Sequence, residues 1–228
     1  MRMTFRKLVA AILGSDDHDT AAAYERRILA EYKNKRHLYE EFGVAVYKLL
    51  DLFLKEGNFR YQLAYRTKAP EGLREKLVRK ATQGIWYEHL DDIEDLAGLR
   101  VVFYSDKSKS RFLSAIRDEI SGTMRFEERT SKSGYDATHV VVSFGPKRLE
   151  LSEYKHFKGM KSEIQVTTIL RHAWAEIEHD LVYKDISGLR KRDPEKFAMV
   201  QVRLGRIMTE HIKQASSELE ELLNEIDE

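Results

Sequence analysis

The sequence predicts an α+β fold: a mixed β-sheet of about five strands flanked by helices, with long N- and C-terminal helices. Three observations predict it. Strand-period and helix-period stretches alternate through the middle of the chain, two long charged amphipathic stretches bracket them, and apolar residues make up 42% of 228, enough for one sizeable core.

The elements follow in order. From Thr20 to Glu56 the chain is rich in Ala, Leu, Glu, Lys and Arg, with Leu29, Tyr32, Tyr39, Phe42, Val46, Leu50 and Phe53 at helical spacing. This predicts one long helix, with a possible break at Gly43 and a stop at Gly57-Asn58. Phe59 to Tyr65 alternates and reads as a strand. Pro70 then opens a helix to about Thr82, because proline suits the first helical turn. Leu99 to Tyr104 is a nearly unbroken apolar run and reads as a buried strand, followed by an amphipathic helix from Lys107 to Ile120. Thr123 to Arg129, Thr138 to Phe144 and Ser162 to Val166 read as three strands. Thr168 to Leu181 reads as a helix, and Pro194 to the C-terminus as a long charged one. The organisation is a helical region over 1–56, a core over 57–184 and a helical region over 185–228.

Composition sets limits. Charged residues reach 34% but balance to +1, so no overall field draws the chain to nucleic acid or to a membrane. The absence of cysteine excludes disulfides and thiolate metal sites, and a cytoplasmic location fits. Arg2, Arg6 and Lys7 precede a short apolar run, Leu8 to Leu13, which is too short to span a membrane and lacks a small-residue cleavage site. It reads as a short amphipathic helix. No repeat or low-complexity tract is present.

Five segments carry chemistry. Arg66 and Lys68 share one face at a strand end, and Arg74, Lys76, Arg79 and Lys80 follow on the next helix. Together they form a cationic cradle of the size a triphosphate needs, although a basic helix face is more often plain solvated surface. Asp91-Asp92-Ile93-Glu94-Asp95 precedes a strand, where a carboxylate suits Mg²⁺ or simply caps a turn. Gly134-Tyr135 presents a ring for base stacking just before the strand that carries His139. Glu163 and Gln165 share a strand face opposite the apolar Ile164 and Val166. His172 and Glu176 lie one helical turn apart, but the His-Glu-x-x-His zinc pattern is absent, so the pair reads as a helix brace.

In this order and spacing, the segments resemble the RelA/SpoT synthetase family, in particular its small stand-alone alarmone synthetases and their toxic relatives. The resemblance covers about Gly57 to Lys184. It rests chiefly on Lys161-Ser162-Glu163-Ile164-Gln165-Val166-Thr167-Thr168 running on to Lys184, with support from Asp95-Leu96-Ala97-Gly98-Leu99-Arg100 and Gly134-Tyr135. It implies a nucleotidyltransferase-like fold and a Mg²⁺-dependent pyrophosphokinase that transfers the β,γ-pyrophosphate of ATP to the 3′-hydroxyl of GDP or GTP. Arg66, Lys68, Arg74 and Lys76 would hold ATP. Asp95 and Glu163 would hold Mg²⁺, with Glu163 also placed to help deprotonate the acceptor. Tyr135, His139 and Gln165 would take the acceptor. The chain departs from the family at Thr167 and Asp136, where relatives often carry a basic or amide residue, and at Gly72, where serine is common.

The first two departures leave the acceptor open. Toxic relatives modify the 3′ end of tRNA or adenine nucleotides and are paired with an antitoxin protein. Lys33, Lys35, Arg36 and Arg190-Lys191-Arg192 could meet a tRNA backbone, though each such cluster is more often solvated helix or loop charge. A third reading is a silent nucleotide-binding module. Neither a hydrolase domain nor regulatory modules are expected, and the terminal helices could serve a homo-oligomer or a partner.

Overall fold

A computed structural model describes residues 18–119, 124–130, 136–185 and 187–227. The Leu8 to Leu13 segment and Tyr135 lie outside the described residues. The chain forms α1 (His18–Glu56), β1 (Tyr61–Thr67), α2 (Pro70–Ala81), β2 (Ala97–Phe103), α3 (Asp106–Glu119), β3 (Met124–Thr130), β4 (Asp136–Val142), β5 (Ser162–Thr168), α4 (Ile169–Glu178), α5 (Pro194–Arg206) and α6 (Lys213–Asp227), with short turns of helix between them.

The five strands form one sheet in the order β1-β2-β5-β4-β3. Only β2 and β5 run parallel, and the other neighbours are antiparallel. The expected mixed five-stranded sheet is therefore present.

One face of the sheet is dry because strand alternation points Leu99, Val101, Phe103, Val140, Ile164 and Val166 the same way, all buried. Helix α1 lies across this face and contributes Ile28, Tyr32, Tyr39, Phe42, Val46 and Leu50, while α3 adds Phe112 and Ile116. The rings interlock: Phe42 and Phe144 meet edge to face at 5.1 Å between centroids, and Phe103 and Phe112 meet at the same separation with their planes tilted by 45°.

Four expectations need correction. Helix α1 does not break at Gly43. The position faces Tyr65 and Ala97, which an added Cβ would meet at 3.6 and 3.8 Å, ordinary contact distances, and packing on the sheet carries the helix through the glycine. Strand β4 ends at Val142, and Phe144 is buried beyond it, because apolar character marks burial rather than ladder pairing. Helix α4 stops at Glu178 and widens into a π-helical turn, His179–Tyr183, closed by the Lys184 N–H donating to the His179 carbonyl at 2.9 Å. The C-terminal helix is likewise divided by a π-helical segment, Ile207–Ile212.

A second, smaller cluster lies apart from the main core. Trp174 of α4 packs with Val182, Phe197, Leu204 and Met208, so the C-terminal helices rest on the back of α4.

Candidate active site

The other face of the sheet is polar, and register determines what stands on it. Reading across the strands, one row is Arg66, Gly98, Glu163, Val141 and Arg125, and the next is Ala64, Arg100, Gln165, His139 and Glu127. Glu163 and Gln165 thus occupy the middle of the sheet. Gly98, without a side chain, leaves the floor open between Arg66 and Glu163. A cavity of about 650 Å³ stands on this face, within the range of small-molecule sites. Helix α2 forms one wall with Gly72, Glu75, Lys76 and Arg79, and α4 forms the other with His172, Ala175, Glu176 and His179.

Each acidic residue is held by two basic groups. Asp95 lies in the turn before β2, and the Lys68 N–H donates to the Leu96 carbonyl at 2.9 Å, which fixes Lys68 beside that turn. The Lys68 Nζ is 2.8 Å and the Lys76 Nζ 2.7 Å from the two Asp95 oxygens. Burial disfavours the Asp95 carboxylate, but Lys76 and Lys68 together outweigh it and hold its pKa below the ordinary value. Lys76 is itself shifted down by burial, against the pull of Asp95.

Glu163 is 7% exposed. Its Oε1 lies 3.1 Å from His139 Nδ1, and its Oε2 is 3.0 Å from Arg129 Nη2. Burial again opposes the charge, but His139 and Arg129 overcome it and the pKa falls below the usual carboxylate value, with Asp95 working the other way. That mutual repulsion means a divalent cation at this face would relieve both carboxylates. Among the described residues no group of three or more metal-ligating side chains is assembled. Two carboxylates remain, a donor set that suits Mg²⁺, which completes its shell with phosphate oxygens and water.

Gln165 accepts from Arg100 Nε at 3.4 Å, and Arg100 Nη1 donates to Glu176 Oε1 at 2.7 Å. His172 Nδ1 stands 3.7 Å from the same Glu176 oxygen, and burial together with Arg100 lowers its pKa. The helix brace is therefore shared with the sheet.

The structure gathers Arg66, Lys68, Lys76, Asp95, His139, Glu163 and Gln165 around one cavity. Arg74 is the exception. It is not among the lining residues; its side chain is 63% exposed and Nε reaches Glu25 of α1 at 2.7 Å. Two positions on a helix are about 200° apart around its axis, so Arg74 and Lys76 cannot share a cradle. Arg79, which the sequence places in the same basic segment as Lys76, lines the cavity, and so do three cations not read as site residues: Arg100, Arg129 and Lys184. Arg100 alternates with Gly98 and so left a signal. Arg129 left none, because strand pairing alone brings it here.

This face and its walls form a cleft with basic walls and two carboxylates at its centre. The chain belongs to the RelA/SpoT family: the region found in RelA / SpoT proteins matches residues 65–187, more than half of the 228. It is similar to two curated proteins of Bacillus subtilis. One is the GTP pyrophosphokinase YjbM, 31% identical over 165 residues, covering 71% of this chain and 69% of that one. The other is the GTP pyrophosphokinase YwaC, 28% identical over 130 residues, covering 52% of this chain and only 56% of that protein's length. Crystal structures of the small alarmone synthetase 1 from Bacillus subtilis share the fold. One has a TM-score of 0.66 at 21% identity, covering 87% of this chain and 98% of that one. Another, bound to its product pppGpp, has a TM-score of 0.64 at 26% identity, covering 87% and 97%.

Proposed function

We propose that the protein is an ATP-dependent pyrophosphokinase that makes guanosine tetra- or pentaphosphate from GDP or GTP. The observation that carries this reading is the convergence of Asp95 and Glu163, each between two basic groups, on one cavity beside the Arg66, Lys68 and Lys76 side chains. The GTP pyrophosphokinase relatives and the pppGpp-bound neighbour support a guanine acceptor.

The chemistry follows from the placement. The acceptor's 3′-oxygen attacks the β-phosphorus of ATP, the new O–P bond forms as the bond between the α,β-bridging oxygen and the β-phosphorus breaks, and AMP leaves. Such transfers need alignment and charge neutralisation more than covalent help. Arg66, Lys68 and Lys76 hold the phosphates, and the lysines exchange Asp95 for phosphate oxygens as ATP enters. Glu163 faces the acceptor from the central strand and takes the hydroxyl's proton. Asp95 and Glu163 would hold Mg²⁺, which neutralises the transferring group and eases ionisation of the hydroxyl. Tyr135, His139 and Gln165 complete the acceptor side in this reading.

The test is chromatography of γ-labelled ATP incubated with the protein and Mg²⁺, in separate tubes with GDP, GTP, ADP or bulk tRNA. A labelled guanine product, lost in EDTA and in Asp95→Asn and Glu163→Gln, supports the proposal. Label in tRNA or an adenine product instead replaces the acceptor and makes a neutralising partner protein the next object of search. No label in any tube overturns it.

A further inference from the structure

We propose that Arg129 is the positioning residue for Glu163, holding its carboxylate in place from the edge strand as a permanent counter-charge. This rests on the reading of Glu163 as the group that faces the acceptor's hydroxyl.

The neighbouring basic residues divide clearly. Lys68 and Lys76 are both committed to Asp95. Arg100 is committed to Gln165 and Glu176. The charge that balances Glu163 therefore comes from the opposite side of the sheet, from Arg129 of β3 at 3.0 Å and His139 of β4 at 3.1 Å. Imidazole carries a charge only when protonated, whereas a guanidinium stays charged throughout the accessible pH range. Arg129 is thus the partner whose charge does not depend on conditions.

The reach of Arg129 is unusual for a strand residue. Its ladder partner is Ala137, while Glu163 pairs with Val141 two cleft-facing rows away. The side chain crosses β4 diagonally to meet a carboxylate on the central strand. It is braced on its own strand by Glu127, whose Oε2 accepts from Nη2 at 3.1 Å. Glu127 also lies 3.9 Å from Arg125, which pairs with Glu94, the residue before Asp95. A line of alternating charges therefore runs along β3 from the turn that carries one acidic site residue to the other. Strand β3 does not need this contact to stay in the sheet, because it pairs with β4 along all seven of its residues.

The experiment compares the full-length protein with Arg129→Ala and Arg129→Lys in steady-state kinetics, varying ATP and the guanine acceptor separately. For Arg129→Ala, kcat falls on the order of tenfold to a hundredfold, the usual effect of removing a group that orients an active-site side chain. Both KM values stay within about threefold, as expected when an interaction is lost only in the transition state. Arg129→Lys recovers part of the loss, and sub-denaturing guanidinium ion rescues Arg129→Ala but not the unsubstituted protein. An unchanged kcat overturns the proposal. So does a raised acceptor KM at constant kcat, which would make Arg129 a substrate ligand.

A second measurement needs no activity. In thermal unfolding, Arg129→Ala shifts Tm less in a Glu163→Gln background than in the native one, because the pair is already broken. Equal shifts in both backgrounds overturn the inference. Should the unsubstituted protein be inactive on every acceptor, the pyrophosphokinase reading fails, while this cycle still decides whether the two residues are coupled.

Discussion

Arg74 and Lys76 stand two positions apart on α2 and point to opposite sides, one to Glu25 of α1 and the other to Asp95 in the cleft. Their substitutions should separate accordingly. Arg74→Ala removes a largely exposed cation whose ion pair with Glu25 lies outside the cleft, and should leave kcat/KM within about twofold. Lys76→Met removes a buried cation that lines the cleft beside Asp95; on the proposed function, kcat/KM should fall on the order of a hundredfold or more, as when one donor to a developing charge is lost. Comparable losses in both would put Arg74 back in the cradle. The residue types of the site were legible because carboxylates and basic groups at strand ends are chemically conspicuous. Arg79 stands in the same basic segment as Lys76, and Arg100 could have been added by its alternation with Gly98. Arg129 could not, because no local period relates it to Glu163.

At the scale of elements, α1 holds the sheet through contacts that can be tested singly. Gly43 sits inside the helix, and an alanine methyl would meet Tyr65 and Ala97 at ordinary contact distance. Gly43→Ala should therefore raise stability by about 0.5–1 kcal/mol, the gain expected from helix propensity. A drop in urea midpoint would mean that the approach is tighter than these distances.

Tyr61 of β1 donates to Asp51 of α1 at 2.6 Å, and burial with the Asp51 carboxylate pushes its pKa from 10.0 to about 12. Tyr87 is pushed to about 12 as well, by burial and then by Asp95. A raised tyrosine pKa favours the neutral form in the folded state. The stabilisation is therefore complete below pH 10.0 and is lost as pH rises towards about 12. Alkaline unfolding followed by circular dichroism should show this decline, and Tyr61→Phe should make it shallower. An unchanged alkaline limb would assign the loss to other groups.

Across the whole molecule, the smaller core and the cleft meet at α4. Its Trp174 belongs to the smaller cluster with Phe197, Leu204 and Met208, while His172, Ala175 and Glu176 of the same helix line the cleft. Leu204→Ala should cost about 2–5 kcal/mol locally, the usual cost of truncating a buried leucine. Because the main core does not include Leu204, hydrogen exchange should report that cost in α4 and α5 and leave β2 and β5 protected. A uniform loss of protection over both regions would show that the chain unfolds as one unit.

The sequence by itself determined the α+β class, the five strands and most of the site chemistry. Alternation and helical spacing are local consequences of backbone geometry, and polar groups set against apolar runs declare a cleft-facing side. It also carried the order of motifs that the family comparison bears out. Tertiary structure alone decided the strand order β1-β2-β5-β4-β3, the unbroken path of α1 past Gly43, the widening of α4 at His179 and which of Arg74 and Lys76 faces the cleft. It also decided that Asp95 and Glu163 would each be held by two basic groups drawn from different strands and helices. The physical reason is common to all of these. Pairing register and helix rotation are fixed by contacts between residues far apart in the chain, and no local pattern encodes which distant partner a side chain will meet.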